Sequence, residues 1–181
     1  MKKVQLMMCA ILSILLSFSS IYGQELDEHL RLLAPITNKN CKGEMPRFGE
    51  GTKREVMWEV IWNGKAIKQT TEVKILHSIS EAYFYWDSDK QEIGVFSITS
   101  NGNFFHGHVI EEDGKILIYG DITFPEGKLK FRNTFEVTEE GKLIDKWFTF
   151  RDGEWTPGHT FELSEKKEVL LSSLLKHWVD N

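Results

Sequence analysis

Two histidines one residue apart, His106 and His108, lie in the segment SNGNFFHGHVIEEDGK, between an Asn-Gly and an Asp-Gly. On a β-strand, a His-x-His pair places both imidazoles on the same face of the sheet, where they can supply half of a metal site. A further imidazole, His159, follows in the segment TPGHT. Metal ligands must converge from one face, so the faces of these strands decide whether the three histidines can act together.

The strands that would carry these histidines are separated by strong turn signals. From Lys53 to Leu163, strand-like segments follow one another without an intervening helical pattern, and Asn-Gly or Asp-Gly stands between several of them. These dipeptides between β-rich runs are the strongest short-range signals for hairpins. With the CKGEMP segment, the pattern predicts about nine to ten antiparallel strands. An all-β up-and-down barrel accommodates so many consecutive hairpins and leaves no open edge.

Loop lengths then sort the inner face of the barrel from its outer face, because residues opposite each other in a hairpin share one face. Two-residue turns at 101–102 and 113–114 put His106 and His108 outside, with His106 opposite Asp121. The interior predicted for these strands contains Phe96, Ile98, Phe105, Val109, Ile116, Ile118, Ile122, Leu129, Phe131 and Phe135, with Gly94, Gly107 and Gly120 among them. The histidine pair is therefore predicted to be a surface feature, and no metal-binding or catalytic residue is predicted.

A row of polar side chains is predicted to cross the apolar interior. If the loop TEEG has four residues, Asn133 lies opposite Lys146, and the Asp-Gly turn at 152–153 places Lys146 opposite His159. A three-residue loop would turn Lys146 outward. Burying an ammonium group is costly unless it is partnered, so an inward lysine predicts water, an internal hydrogen-bond network or a bound anionic or carbonyl group.

Aromatic side chains are predicted to form the walls around this polar row. The Asn-Gly turn at 63–64 places Trp58, Trp62 and Gln69 on one face, and the turn at 88–89 brings two tyrosines beside Gly94. The full set of predicted ligand-binding residues is Asn133, Lys146, His159, Trp58, Trp62, Gln69, Tyr83, Tyr85, Phe131 and Trp155. Apolar walls with a few convergent polar groups are typical of a pocket for an amphipathic small molecule.

The N-terminal segment MKKVQLMMCAILSILLSFSSIYG has the pattern of a secretory signal peptide, so residues 1–23 are predicted to be removed and the protein to be periplasmic or secreted. Cleavage removes Cys9 and leaves Cys41 as the only cysteine, which rules out an internal disulfide. The formal net charge of −5 and the lack of a basic run argue against nucleic acid. After signal removal no transmembrane segment is expected, and the pattern points to no particular protein partner.

Two amphipathic stretches flank the strands. QELDEHLRLLAPI predicts a short N-terminal helix within a barrel domain that spans residues 24–163. SEKKEVLLSSLLKHWVDN predicts a C-terminal helix over residues 164–181, with Ser164 as its cap. These helices are expected to plug or flank the barrel ends; the alternative is a helix that contacts a membrane surface or a partner.

The segments AYFYWD, FRNTFEV, DKWF and DGEWTPGH, preceded by a helix that leads to NKNCKGEMP, resemble the calycin superfamily of lipocalins and fatty-acid-binding proteins, and in particular exported bacterial lipocalin-like proteins. The resemblance extends from Leu32 to Leu163. Lipocalins carry Gly-x-Trp in their first strand, where this chain has Lys39-Asn40-Cys41. The resemblance implies a β-barrel and extracytoplasmic binding of small hydrophobic molecules, without assigning ligand contacts.

The main functional hypothesis is therefore an exported barrel that binds a small hydrophobic or amphipathic molecule. No cofactor is expected, although a haem-binding barrel with His159 as axial ligand is a variant. One alternative is an enzyme that uses His159 as general base beside Lys146, or a metal-dependent enzyme similar to the cupins, with HGHVIEE and the later histidine. The other is a filled barrel that acts as a protein-interaction module.

Overall fold

A computed structural model describes residues 25–45, 48–124 and 127–166 of the chain. The described residues form ten strands: β1 (Asn40–Glu44), β2 (Lys53–Ile61), β3 (Ala66–Val73), β4 (Ser78–Asp87), β5 (Glu92–Thr99), β6 (Phe104–Glu112), β7 (Lys115–Phe124), β8 (Gly127–Val137), β9 (Leu143–Arg151) and β10 (Glu154–Glu165). Each strand pairs antiparallel with its neighbours in the chain, and β1 pairs with β10 to close a barrel. The predicted all-β up-and-down barrel is confirmed.

The predicted segments at the two termini are described only in part. The signal peptide, residues 1–23, lies outside the described residues, as does the predicted C-terminal helix from residue 167 onward. Ser164 and Glu165, which the sequence pattern assigns to the start of that helix, belong to β10. None of the helices in the described part of the chain has the length and apolarity needed to cross a membrane.

The N-terminal helix is a 3-10 helix, Glu28–Ile36, that packs into one end of the barrel. Its buried side chains, Leu30, Leu33 and Ile36, recur every three residues, which matches the three residues per turn of a 3-10 helix. Asp27 caps the helix by accepting a hydrogen bond from the backbone N–H of His29 at 3.0 Å, and it pairs with Lys65 at 2.5 Å. We call this end of the barrel the plugged end.

Replacing Leu33 with alanine is expected to lower the free energy of unfolding by about 2–5 kcal/mol, because a fully buried side chain would leave a cavity. Urea denaturation followed by circular dichroism measures this loss. The matched control is Leu32→Ala, since Leu32 is only partly buried. Similar losses for the two variants would mean that the helix does not pack with its three-residue period against the core.

Two Asp-Gly hairpins have the predicted register. Asp113 and Asp152 both have φ of 52°, and each is followed by a glycine with positive φ, as a two-residue turn of this kind requires. Glu112 therefore lies opposite Lys115 at the β6–β7 turn. These turns set the pairing of β6 with β7 and of β9 with β10. The strands β6, β7 and β8 have the predicted inner and outer faces.

Two other hairpins have loops of three residues, and each inverts the predicted faces of a strand. The backbone N–H of Thr99 donates to the carbonyl of Asn103 at 3.0 Å, and that of Thr138 donates to Lys142 at 2.9 Å. The predicted pairings at these loops were wrong by one residue. Since side chains alternate with a period of two, such a shift moves every side chain of the strand to the other face.

Strand β5 shows the effect of the first of these loops. Ile93, Val95 and Ser97 are buried, whereas Phe96 and Ile98 are exposed on the outer wall. The prediction that Gly94, Phe96 and Ile98 belong to the interior was therefore wrong.

Buried aromatic rings pack together next to the plugged end. The ring of Trp58 contacts the rings of Phe84 and Phe135, with centroids 5.4 and 5.5 Å apart, and all three side chains are buried. Cys41 is buried in the same core, where it is a free thiol. Aromatic packing thus fills the lumen near the 3-10 helix and leaves the other half for polar groups and open space.

Candidate functional site

A cavity of about 270 Å³ lies inside the barrel, toward the end opposite the 3-10 helix. Its walls are mainly apolar. It is lined by Met45, Arg54, Gln69, Thr71, Val73, Ser80, Phe84, Ser97, Thr99, Asn103, Phe104, Phe105, Ile118, Ile122, Phe131, Asn133, Phe135, Trp147, His159 and Phe161. This volume is close to the lower limit of ligand-binding pockets.

Three aromatic rings form one wall of the cavity. The ring of Phe131 stacks on Trp147, with centroids 4.6 Å apart and planes within 5°, and meets Phe105 edge-on at 4.7 Å. These residues come from the strands β6, β8 and β9. Packing of this kind holds the rings in fixed positions, so the wall is rigid without being polar.

A buried ion pair stands beside the cavity. Asp145 is 0% exposed, and its Oδ2 pairs with Nη1 of Arg54, whose side chain is 13% exposed. The amide of Asn133 donates to the other carboxylate oxygen of Asp145 at 2.6 Å and to the carbonyl oxygen of Lys146 at 3.3 Å. Both oxygens of the carboxylate therefore have partners, as a buried charge requires. We call Arg54, Asn133 and Asp145 the polar triad.

Gln69 has a buried amide nitrogen without a hydrogen-bond partner among the described residues. The side chain is 9% exposed and lines the cavity, and its Nε2 has no hydrogen-bond partner among the described residues. A buried donor without an acceptor costs about 1–3 kcal/mol. An acceptor oxygen placed beside Nε2 would recover that cost.

His159 lines the cavity as predicted, but a β-bulge places it there. The pairing of β9 with β10 shifts by one residue between Pro157 and His159, so His159 lies opposite Trp147. Its ring stacks on those of Trp147 and Phe161, with centroids 5.9 and 4.2 Å apart. Gly158 permits the bulge, because a Cβ atom there would lie 2.7 Å from the Trp147 ring.

Lys146 does not face the cavity, and the prediction that it lies inward opposite His159 was wrong. The loop before β9 has three residues, so Lys146 points outward opposite Thr160, and Asp145 takes the inward position. The charged group inside the barrel is therefore a carboxylate paired with Arg54, not an ammonium beside an imidazole.

Four of the predicted aromatic wall residues lie outside the barrel, which corrects their predicted inward placement. Trp62 is 67% exposed, because the chain turns at Trp62–Gly64 before the strand alternation can continue. Tyr83 and Tyr85 do lie beside Phe96 and Gly94, but on the outer face, since β5 is inverted. Trp155 is outside with Phe150 and Tyr119, because β9 is inverted as well.

Asn133, His159, Gln69 and Phe131 line the cavity, as predicted. Trp58 faces inward as predicted, but it is buried in the core and does not line the cavity. Whether they contact a ligand stays a prediction.

Arg54, Asp145, Ser97 and Trp147 were absent from the predicted set. Arg54 follows from the alternation of β2, because Trp58 and Val56 are inward and Arg54 is the next residue at a period of two. Asp145 and Trp147 alternate in the same way with the buried Leu143. The sequence therefore contained a signal for Arg54. The length of the loop before β9 concealed Asp145 and Trp147, and the length of the loop before β6 concealed Ser97.

His106 and His108 lie outside the barrel, as predicted. His106 is opposite Asp121, and His108 is opposite Tyr119, with ring centroids 6.1 Å apart. His159 is on the opposite face of the barrel wall. Within residues 25–45, 48–124 and 127–166, no three His, Cys, Asp or Glu side chains are grouped to hold a metal ion.

His159 lines the cavity with its ring stacked on those of Trp147 and Phe161, and a haem with His159 as axial ligand stays a prediction.

Comparison with protein-family models and with curated proteins finds no match to this chain. The ten-stranded antiparallel barrel is consistent with a calycin-like fold. Function therefore has to be inferred from the cavity, its apolar wall and its buried polar groups.

Proposed function

We propose that the protein is an exported carrier that binds a small apolar or amphipathic molecule inside its barrel. The observation that carries this proposal is the cavity, which has a fixed aromatic wall and a few convergent polar groups. Export rests on the signal-peptide pattern of residues 1–23, which implies a periplasmic or secreted location.

The distribution of side chains favours a binding role over a scaffold role. A barrel that served only as a scaffold would be expected to fill its lumen with side chains, as the half near the plugged end does. The other half instead keeps an open volume, a buried ion pair and an unpartnered amide. The open volume and the unpartnered amide cost stability, which a bound molecule can return.

A catalytic role has less support. The enzyme hypothesis placed Lys146 beside His159, but these side chains lie on opposite faces of the barrel wall. His159 remains in the cavity, stacked between aromatic neighbours.

An interaction surface is the second candidate, because one observation favours it. A ladder of aromatic rings runs over the outer wall of β4 and β5: Tyr83 stacks on Trp62 at 6.3 Å and on Phe96 at 5.1 Å. Trp62 and Phe96 are exposed, and exposed apolar patches often mark contacts with other molecules.

Filling the cavity is expected to abolish binding. Thr71 lines the cavity, so Thr71→Phe places a ring inside it, whereas Thr70→Phe places the same ring on the outer face of the same strand. The neutral fluorescent probe N-phenyl-1-naphthylamine should bind to the parent protein with a rise in emission. We expect Thr71→Phe to weaken its binding at least about ten-fold and Thr70→Phe to leave it within about two-fold, since one ring occupies the pocket volume.

Equal binding by the two variants would place the probe outside the cavity and contradict the proposal. The same conclusion follows if the parent protein binds neither this probe nor any molecule that native mass spectrometry detects after purification from its own cells.

A further inference from the structure

We propose that the cavity selects uncharged molecules that carry a carbonyl or ether oxygen, and that it discriminates against free carboxylates and ammonium groups. This inference rests on the proposed binding function and adds the chemical class of the ligand. It follows from two properties of the described cavity: its compensated charge and its excess of hydrogen-bond donors.

The charge of the cavity is compensated within the barrel wall. Among the described residues, the permanently charged side chain that lines the cavity is Arg54, and it pairs with the fully buried Asp145 directly beside it. A ligand carboxylate that reached Arg54 would have to share the guanidinium with Asp145. Bringing a second anion to a buried carboxylate, or removing the partner of that carboxylate, is strongly unfavourable.

A cationic ligand meets a similar obstacle. Both carboxylate oxygens of Asp145 already have partners, one in Arg54 and one in Asn133. An ammonium group would have to displace one of these partners to pair with the carboxylate. The guanidinium of Arg54 lines the cavity and would repel a second positive charge. The cavity therefore compensates neither a negative nor a positive charge on a ligand. An uncharged ligand avoids the cost of burying either charge.

The hydrogen-bonding groups define what the uncharged ligand must offer. Nε2 of Gln69 is a buried donor without a partner among the described residues, and the Gln69 side chain lines the cavity. Arg54 carries five N–H donors, more than one carboxylate oxygen can accept. The cavity therefore has more hydrogen-bond donors than acceptors for them. An acceptor oxygen, such as that of a ketone, ester, lactone or amide, would satisfy these donors.

Three molecules of the same chain length test this selectivity: 2-decanone, decanoate and decylamine, each used to displace N-phenyl-1-naphthylamine from the full-length folded protein at neutral pH. We expect 2-decanone to displace the probe at a concentration at least about ten-fold lower than either charged analogue, since an unpaired charge in a buried site is far costlier than an uncharged group. Decane, which has no acceptor, should also be weaker than the ketone.

Two variants assign the selectivity to its residues. Gln69→Leu removes the donor and should weaken 2-decanone about ten-fold while leaving decane unchanged or tighter. Asp145→Asn keeps the shape but leaves Arg54 uncompensated, so decanoate should gain at least about ten-fold relative to the ketone. Circular dichroism at the assay temperature verifies that each variant is folded. If Asp145→Asn does not fold, the ranking of the ligands by the parent protein and the affinities of Gln69→Leu test the inference.

The outcomes separate this inference from the proposed function. If none of the four molecules nor the probe binds, the carrier function itself is wrong. If the probe and decanoate bind, with decanoate as strong as or stronger than 2-decanone, the barrel is a carrier but the inferred ligand class is wrong. An unchanged ketone affinity in Gln69→Leu likewise contradicts the role of that amide.

Discussion

Replacing Asp145 with alanine is expected to lower the free energy of unfolding by about 3–5 kcal/mol, the usual effect of removing one partner of a buried ion pair. The carboxylate is fully buried, and its loss would leave the guanidinium of Arg54 and the amide of Asn133 without their acceptor. Urea denaturation of the variant and the parent protein, followed by tryptophan fluorescence, measures the difference.

Two controls show whether the loss comes from the buried pair. Asp121→Ala removes an aspartate from the outer wall of β7, where charges are solvated, and should change stability by less than about 1 kcal/mol. The double variant Arg54→Met with Asp145→Leu removes both charges and should recover most of the stability. A single-variant loss no larger than that of Asp121→Ala would show that Asp145 does not compensate a buried cation.

Gly107→Ala is expected to cost about 3 kcal/mol or to prevent folding, because the added methyl group meets backbone and not a flexible side chain. A Cβ atom at Gly107 would overlap the carbonyl oxygen of Tyr119 and lie 2.8 Å from its carbonyl carbon and 2.9 Å from Cα of Gly120. Strands β6 and β7 would have to separate at this point. Thermal denaturation and the yield of soluble protein report the effect.

Gly94→Ala is the matched control, with the same substitution on the next strand. A Cβ atom there would lie 2.7 Å from Cζ of Tyr85, which is the far end of an outward side chain that can rotate away. Its cost should be below about 1 kcal/mol, as for substitutions outside the core. If both variants are equally stable, the backbones of β6 and β7 do not approach as closely as described.

The overall fold could be predicted from the turn signals. Asp-Gly at 113–114 and 152–153 has backbone angles that few other dipeptides adopt, so two-residue turns and their registers followed directly. The long series of such turns between β-rich segments also required antiparallel neighbours, and closure of the sheet removed the edges.

The inner faces of β5 and β9 could not be predicted in the same way. Asn101-Gly102 and Gly141 signal a turn, but they do not determine whether the loop contains two, three or four residues. A difference of one residue inverts a strand, and this moved Lys146 outward and Asp145 inward. His159 was predicted on the correct face because a bulge at Gly158 cancelled the inversion of β9. No local sequence pattern predicts this bulge.

The candidate site was therefore predicted in part. Gln69, Phe131 and Asn133 were placed on the cavity wall because the predicted register of their strand pairs was right. Arg54 could have been added from the alternation of β2, whereas its pairing with Asp145 depends on strands that are distant in the chain and come together only when the barrel closes.

If the chain is exported and processed as proposed, Cys41 is its one remaining thiol, and the position of this residue in the core affects its chemistry. Burial raises the pKa of Cys41, and the charge of Glu165 adds to that effect, so the sulfur stays protonated and a poor nucleophile. Disulfide exchange proceeds through the thiolate and requires access to it. In an oxidising compartment, the folded monomer is thereby protected from covalent dimerisation and from mixed disulfides with other secreted proteins, and a solitary cysteine can persist without a partner.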